Sequence, residues 1–141
     1  VERSRGLGDV YKRQVVDAAR EALCACRLEA VAEAPVESLA YGQRRQLEIA
    51  MALAGQPSVL LLDEPMAGMS AAESAGVIAL LQSLKGRYTI VLVEHDMNAV
   101  FALADRISVL VYGKIIATGT ADAIRNHPDV RRAYLGDDAD A

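Results

Sequence analysis

The sequence predicts an α/β fold in which parallel strands are flanked by helices. Two short apolar runs carry this prediction, Val59–Leu62 and Thr89–Val93. Each run is too short for a helix and is typical of a strand that is buried on both faces, as in a parallel sheet. Helical patterns lie before, between and after the two runs. The polar residues that follow each run are therefore expected at the edge of a sheet.

The composition describes one domain or a part of a larger one. The chain has 141 residues, of which 52% are hydrophobic, and its formal net charge is −4. That acidic balance gives no nucleic-acid footprint, and no apolar run approaches the roughly 20 residues that span a bilayer. Cys24 and Cys26 would lie on different faces of a helix, so we expect neither a metal site nor a disulfide. A reducing cytosol is the expected compartment.

Residues 1–14 do not match the pattern of the rest of the chain. They hold two glycines and four basic residues without apolar periodicity. No Gly-Lys-Ser/Thr follows the glycines, so they do not form a phosphate-binding loop. A basic arm is one interpretation. The stretch 6–14 also resembles adapter-derived sequence from truncated reads, so we expect residues 1–14 to be a non-native or disordered leader. The natural N-terminal half of the protein would then be missing.

Two helices are expected before the first strand. Residues 15–34 place small and apolar side chains at helical spacing, and Pro35 is expected to end that helix. Residues 38–54 form the second helix. Its apolar positions include Leu47, Ala50, Met51 and Ala54. Gly42 in the first turn would let a ligand approach the backbone N–H groups, and the partial positive charge of a helix N-terminus suits a phosphate.

Two carboxylates follow the first strand, at the edge where open α/β sheets bind ligands. Asp63 offers an oxygen to a hard cation such as Mg²⁺. Glu64 points elsewhere and is available to act on a water molecule. An acidic turn without chemistry is the alternative interpretation. Ser70 and Glu73 then fit a capping box, Ser-x-x-Glu, which starts another helix. The predicted buried face of that helix is Val77, Leu80, Leu81 and Leu84.

The second strand also ends in polar residues, Glu94-His95-Asp96. If the two strands are parallel, His95 lies at the same edge as the carboxylates and is a plausible partner for a phosphate or for the attacking water. A hairpin over residues 106–117 is expected to turn at Gly113. Thr120 is expected to cap a short helix. A last helical segment over 128–136 precedes a frayed acidic tail, residues 137–141.

Three motifs now stand in a specific order along the chain: Leu-Ala-Tyr-Gly-Gln at a helix start, Asp-Glu-Pro after one strand and Glu-His-Asp after the next. Together they make residues 15–136 resemble the C-terminal half of an ABC-transporter ATPase subunit, a P-loop NTPase. Within that family the chain is most similar to ATP-binding subunits of branched-chain amino acid importers. The narrower resemblance rests on Leu39–Ala50, Met66–Met69, Glu94–Met97 and His127–Gly136. Urea-type importers remain an alternative.

The resemblance implies a role for each motif residue. Leu39, Ala40, Tyr41, Gly42 and Gln43, hereafter the signature segment, would contact the γ-phosphate of ATP held by a second ATPase subunit. Asp63 matches the Walker B aspartate, which helps hold Mg²⁺ through its water shell. Glu64 matches the base that polarises the attacking water, and His95 matches the switch histidine that reaches the γ-phosphate. Ala67, Gly68, Met69 and Ser70, hereafter the D-loop, would lie at the dimer interface.

Some residues depart from the family pattern. Ala40 replaces the usual serine and Tyr41 replaces a glycine, so the hydroxyl contact to phosphate is lost while the backbone donors at Gly42 remain. Ser70 stands where aspartate is usual. No Gly-x-x-x-x-Gly-Lys-Ser/Thr occurs in the sequence. The phosphate-cradling loop, the glutamine loop and the adenine-stacking aromatic would lie upstream, so the chain alone is expected to be inactive.

The resemblance further implies an ATPase that uses ATP and Mg²⁺ to power an importer. Its partners would be a second ATPase subunit, in a homo- or heterodimer, integral membrane permeases and, indirectly, a periplasmic or extracellular substrate-binding protein. The expected location is the cytoplasmic face of a bacterial inner membrane. Residues 15–54 would form the signature region, and residues 55–136 the Walker B and switch region.

Two alternatives from other functional classes remain. One is a soluble ABC ATPase that acts on nucleic acid or ribosomes; the ending over residues 127–136 and the lack of a basic patch argue against it. The other is a non-catalytic interaction module that keeps only the fold. The presence of Glu64 and His95 argues against that module for a parent protein, although the description fits a fragment.

Overall fold

The computed structural model describes the backbone of residues 2–135 and the side chains of residues 8–134. The chain folds as two compact units, residues 1–93 and residues 94–141. The expected acidic tail, residues 137–141, and Gly136 lie outside the described residues. Within residues 2–135, no helix combines the length and the apolar character needed to cross a membrane.

Helix α1 of the first unit spans Glu2–Ala25, so the helix expected over 15–34 begins earlier and ends earlier than predicted. Residues 2–14 are helical, and their non-native origin stays a prediction. The helix stops because Arg27 adopts a φ of 58°. The N–H of Leu28 then donates to the Leu23 carbonyl at 2.9 Å, the pattern of a Schellman motif. The sequence did not predict this helix end, because the left-handed position usually holds glycine and here holds an arginine. Pro35 plays no part in ending the helix.

Helix α2 spans Tyr41–Ala54 and follows a 3₁₀ turn at Val36–Ser38. Its buried face is Ile49, Ala50 and Leu53. Met51, one of the apolar positions of the helix, is not on this face, because it is 70% exposed. Within the unit, α1 packs against α2. The α2 helix in turn packs against a third helix.

Helix α3 spans Ala71–Leu84, and the face predicted for it is buried in full. The buried residues are Val77, Leu80, Leu81 and Leu84. The predicted capping box is also confirmed. The Glu73 N–H donates to Ser70 Oγ at 3.4 Å, and the Ser70 N–H donates to Glu73 Oε2 at 3.0 Å. Two helix N–H donors are thereby satisfied at the point where α3 begins.

Strands β1, Val59–Asp63, and β2, Thr89–Val93, pair in parallel as predicted. The expectation that both faces are buried is wrong. Leu60 is 3% exposed, whereas its neighbour Leu61 is 74% exposed. Exposure alternates in the same way along β2. Only one face of the strand pair is therefore covered within this unit.

The second unit begins with the loop that leads into α4, Met97–Leu103. Strands β3, Ile107–Val111, and β4, Lys114–Gly119, form the predicted antiparallel hairpin. The turn at Gly113 is confirmed, with φ values of 47° at Tyr112 and 74° at Gly113. A register shift lies between Val109 and Leu110.

The end of the second unit packs against this hairpin. Helix α5 spans Ala121–Arg125, and the predicted cap is confirmed by the Ala123 N–H, which donates to Thr120 Oγ1 at 3.4 Å. Helix α6, Pro128–Val130, continues into a π-helical turn over Arg131–Leu135. The core of the unit is Ile107, Val109, Ile124 and Val130.

Candidate functional site

The two predicted acidic site residues lie at the carboxyl end of β1. Asp63 is the last residue of the strand and pairs with Val93 of β2. The Glu64 N–H donates to the Val93 carbonyl at 2.9 Å, so the bonding between the strands continues past the end of β1. Both acidic residues are exposed. The strand pair therefore fixes the backbone of both residues and leaves them accessible to a ligand.

Glu64 has an unusual backbone conformation, with a φ of 43°. Residues with a Cβ adopt this left-handed region uncommonly, and such outliers concentrate at functional sites. A tight loop follows, in which the Ala67 N–H donates to the Glu64 carbonyl at 3.0 Å. Gly68 in the same loop has a φ of 74°, which favours glycine. The D-loop thus leaves the strand by a sharp, hydrogen-bonded turn.

The structure brings the signature segment and the D-loop together. Tyr41 Oη donates to the Ala67 carbonyl at 3.0 Å across a sequence separation of 26 residues. The Gly42 N–H donates to Glu73 Oε1 at 3.2 Å across a separation of 31 residues. Sequence reasoning missed both contacts. The Ser-x-x-Glu pattern predicts the bond between one Glu73 oxygen and Ser70, but it does not indicate that the other oxygen accepts from Gly42.

The start of α2 shows what the loss of the usual serine does. Ala40 sits at the N-cap with φ −60° and ψ 157°, a suitable backbone for a cap, but it has no hydroxyl. Only half of a capping box is therefore present: the Ala40 N–H donates to Gln43 Oε1 at 3.0 Å. The Gly42 N–H, which is expected to face a phosphate, is occupied by the Glu73 carboxylate.

Glu73 is the carboxylate with the clearest electrostatic signature in this region. The hydrogen bond from the Ser70 side chain lowers the pKa of Glu73 most, followed by the bonds from the Ser70 and Gly42 backbone. Each of these donors favours the charged form. An anion therefore already sits at the N-terminus of α2, where the partial charge of the helix is positive.

The predicted switch histidine, His95, belongs to the second unit and is exposed. Its backbone N–H donates to Glu94 Oε2 at 3.2 Å. Asp96 caps α4 by accepting from the Asn98 N–H at 2.9 Å. These bonds hold the backbone on either side of His95. The convergence of His95 with Glu64 stays a prediction.

The residues at the end of β1 suit Mg²⁺ better than a metal that needs a full protein cage. Among the described side chains, those of residues 8–134, no cluster of three or more histidine, cysteine, aspartate or glutamate residues is arranged to hold a metal ion. Mg²⁺ does not need one, because it keeps several waters and uses one or two carboxylates together with substrate phosphates. The exposed Asp63 fits that role, and the bound ion would supply positive charge to the phosphates of ATP.

Two protein families match the sequence. The family described as ABC transporter matches residues 4–67. The family described as branched-chain amino acid ATP-binding cassette transporter matches residues 114–140. The first match includes both the signature segment and the end of β1.

Curated relatives match over most of this chain. High-affinity branched-chain amino acid transport ATP-binding protein LivG of Escherichia coli (strain K12) is 47% identical over 102 residues, which is 71% of this chain and 40% of LivG. The corresponding BraF protein of Pseudomonas aeruginosa is 39% identical over 128 residues, which is 89% of this chain and 50% of BraF. The chain thus spans half or less of the length of these relatives.

Solved structures show the same fold. The crystal structure of the ADP conformation of MJ1267, an ATP-binding cassette of an ABC transporter, superposes with a TM-score of 0.78 at 26% identity, over 87% of this chain and 50% of that one. CbiO1 from Clostridium perfringens, part of the ABC transporter complex cbiONQ, gives a TM-score of 0.72 at 27% identity, over 89% of this chain and 49% of that one. The order of motifs, the parallel strands and these matches agree, and the chain belongs to the ABC transporter ATP-binding family.

Proposed function

We propose that this chain is the C-terminal part of an ATPase subunit that powers an ABC importer, with ATP and Mg²⁺ as its cofactors. The observation that carries the proposal is the end of β1, where Asp63 and Glu64 are exposed on a backbone fixed by β2. An aspartate for the metal ion followed by a glutamate for the attacking water suits phosphoryl transfer, in which positioning and charge stabilisation supply most of the catalysis.

The remaining motif residues take the roles that this reaction requires. The signature segment contacts the γ-phosphate of ATP bound to a second ATPase subunit. The D-loop lies at the interface of that dimer. His95 reaches the γ-phosphate. Each role requires the side chain or donor to be accessible, and the side chains of Glu64 and His95 are exposed.

The chain alone does not complete this site. The sequence contains no Gly-x-x-x-x-Gly-Lys-Ser/Thr, so it lacks the loop that cradles the phosphates of the nucleotide. We infer that the loop belongs to an upstream half, in keeping with relatives that are at least twice the matched length. The chain by itself is then unable to turn over ATP.

Branched-chain amino acids are the proposed cargo of the parent transporter. The match over residues 114–140 and the names of the LivG and BraF relatives support this choice over a urea-type importer. The subunit would bind integral membrane permeases at the cytoplasmic face of a bacterial inner membrane. A substrate-binding protein would act on it only indirectly, through the permeases.

ATP-dependent dimerisation tests the proposed ATPase role. The upstream portion of Escherichia coli LivG is placed before residues 15–141 of this chain to give a protein that we call the joined subunit. With Glu64→Gln to prevent turnover, sedimentation velocity should show a dimer with MgATP and a monomer with MgADP. Gln43→Glu should abolish the dimer by placing negative charge in the signature segment, while its carboxylate can still accept from the Ala40 N–H. Gly76→Asp, where an added side chain meets open space, should not.

The same measurement has a clear adverse result. If the joined subunit binds MgATP but stays monomeric, the signature segment does not act on the nucleotide of a second subunit and the proposed function fails. The cargo is tested separately by uptake into membrane vesicles that carry the natural permeases and binding protein of the source organism. Accumulation of radiolabelled leucine supports the proposal, and accumulation of urea alone contradicts it.

A further inference from the structure

Two hydrogen bonds tie the first turn of α2 to the segment that leaves β1, and we call this pair of bonds the clamp. In one, Tyr41 Oη donates to the Ala67 carbonyl at 3.0 Å; in the other, the Gly42 N–H donates to Glu73 Oε1 at 3.2 Å. The first holds the beginning of the D-loop, and the second holds the turn of α3 just beyond its end. Both ends of the D-loop are thereby attached to the signature segment.

Glu73 is shared between the two segments by its two oxygens. Oε1 accepts from the Gly42 N–H, whereas Oε2 accepts from the Ser70 N–H at 3.0 Å and from Ser70 Oγ at 2.7 Å. The Ser70 bonds would suffice for a capping box. The additional bond to Gly42 extends the cap into a bridge between helices.

Tyr41 has a second bond that prepares its hydroxyl for the clamp. Arg45 Nη2 donates to Tyr41 Oη at 3.1 Å, and Arg45 Nη1 in turn pairs with Glu48 Oε2 at 2.8 Å. A hydroxyl that accepts from a guanidinium is a stronger donor, because linked hydrogen bonds polarise one another. The α2 helix therefore supplies both the hydroxyl and the groups that orient it.

We propose that Tyr41 and Glu73 are positioning residues that couple the signature segment to the D-loop, so that the two segments move as one element. The functional part of this inference rests on the proposed function, which places both segments at the interface between two ATPase subunits. The coupling itself lies within this chain and does not require a second subunit. In such an interface, a shift of the phosphate-contacting segment would be passed directly to the D-loop.

Amide hydrogen exchange in the full 141-residue chain tests the coupling. The variants are Tyr41→Phe, Glu73→Gln and their combination. Glutamine accepts at only one end of its amide, so Glu73→Gln must break the bond to either Gly42 or Ser70. Tyr112→Phe, at a fully exposed tyrosine, and Glu33→Gln, at an exposed carboxylate, are matched controls. The amide of Leu81 in the core of α3 reports whether the fold is intact.

Tyr41→Phe should speed exchange at Ala67 and Met69, whose N–H groups are hydrogen-bonded within the turn, by roughly threefold to tenfold, the effect of losing one net hydrogen bond. Glu73→Gln should do the same at Gly42 or Ser70. The double variant should speed D-loop exchange by more than the product of the two single effects, because each bond holds the segments while the other is open. The controls and Leu81 should not change.

A purely local role gives a different pattern. If Tyr41→Phe leaves the D-loop within about twofold of its original exchange rates, or if the two effects simply multiply, the coupling is wrong. Hydrolysis by the joined subunit tests the functional part separately. There the two variants should lower kcat, whereas the Tyr112→Phe and Glu33→Gln controls should leave it within about twofold.

These readouts separate failure of the coupling from failure of the proposed function. A joined subunit that never hydrolyses ATP removes the proposed function and leaves the exchange result standing. An active joined subunit whose kcat is unaffected by both variants overturns the positioning role.

Discussion

Glu64 combines a left-handed backbone with the position that the family resemblance assigns to the catalytic base. Its φ of 43° is imposed from both sides, because its N–H is bonded to Val93 and its carbonyl to the N–H of Ala67. A left-handed residue with a Cβ costs about 1–2 kcal/mol relative to the right-handed form. The sequence pattern predicted a carboxylate at the end of the strand, but it had no signal for this conformation.

The backbone at Glu64 predicts an inverted order of glycine and alanine variants. Glu64→Gly and Glu64→Ala both remove the side chain, so their difference isolates the backbone. Glu64→Gly should be the more stable by about 1 kcal/mol in denaturant unfolding, because glycine adopts this φ without strain. At Glu48, inside α2, glycine should instead be the less stable by about 1 kcal/mol. If the alanine variant were the more stable at both sites, the backbone at Glu64 would not be strained.

Glu73 should make the stability of the chain depend on pH in the acidic range. Its pKa is held below the ordinary value of 4.5 in the folded protein, so its stabilising contribution is complete above pH 4.5 and is lost as the pH falls through the folded-state pKa. Glu73→Gln should remove that part of the acid dependence of the free energy of unfolding.

The titration of Glu73 itself gives the control for this prediction. Ser70→Ala removes the hydroxyl that lowers the pKa most and should move the pKa back toward 4.5, as followed by carboxyl-carbon NMR. A pKa of Glu73 at or above 4.5 in the original chain would refute the assigned hydrogen bonds.

At the scale of single elements, signals that are local in the sequence were read correctly. The Ser-x-x-Glu cap of α3, the Thr120 cap of α5 and the turn at Gly113 are all confirmed. Each depends on residues within four positions of one another. The end of α1 was missed because Arg27, rather than a glycine, takes the left-handed position there.

Helices α2 and α3 differ in their N-terminal caps, and this difference can be measured. Ala40→Ser should raise the free energy of unfolding by about 1 kcal/mol, because the new hydroxyl can accept from the N–H of Gln43. Ser70→Ala should lower it by about 1 kcal/mol, because that cap is already made. Both free energies are measured by chemical denaturation. If Ala40→Ser does not raise the free energy of unfolding, the start of α2 does not lack a cap.

The burial of the strand pair was predicted wrongly, and the observed burial can be tested. Continuous apolar runs predicted burial on both faces, yet Leu60 is 3% exposed and Leu61 is 74% exposed. Leu60→Ala should cost about 3 kcal/mol of unfolding free energy, and Leu61→Ala under about 1 kcal/mol. Comparable costs would show that both faces of β1 are covered in solution.

At the scale of the whole molecule, the motif order predicted the family, and the parallel register of β1 and β2 agrees with it. The order of motifs did not predict which face of the strand pair is covered. It also did not predict that the signature segment contacts the D-loop. The contacts of Tyr41 with Ala67 and of Gly42 with Glu73 join residues 26 and 31 positions apart. Such contacts depend on how helices pack, and no local pattern in one sequence encodes that packing.

We propose that Glu64 serves as the base of an ATPase once the upstream half is supplied. The most direct measurement is the rate of phosphate release from MgATP by the joined subunit, compared with its Glu64→Gln variant and with this chain alone. We expect turnover by the joined subunit, a loss of at least about 100-fold in the Glu64→Gln variant with ATP binding retained, and no turnover by this chain. Turnover that survives Glu64→Gln, or turnover by the chain alone, would contradict it.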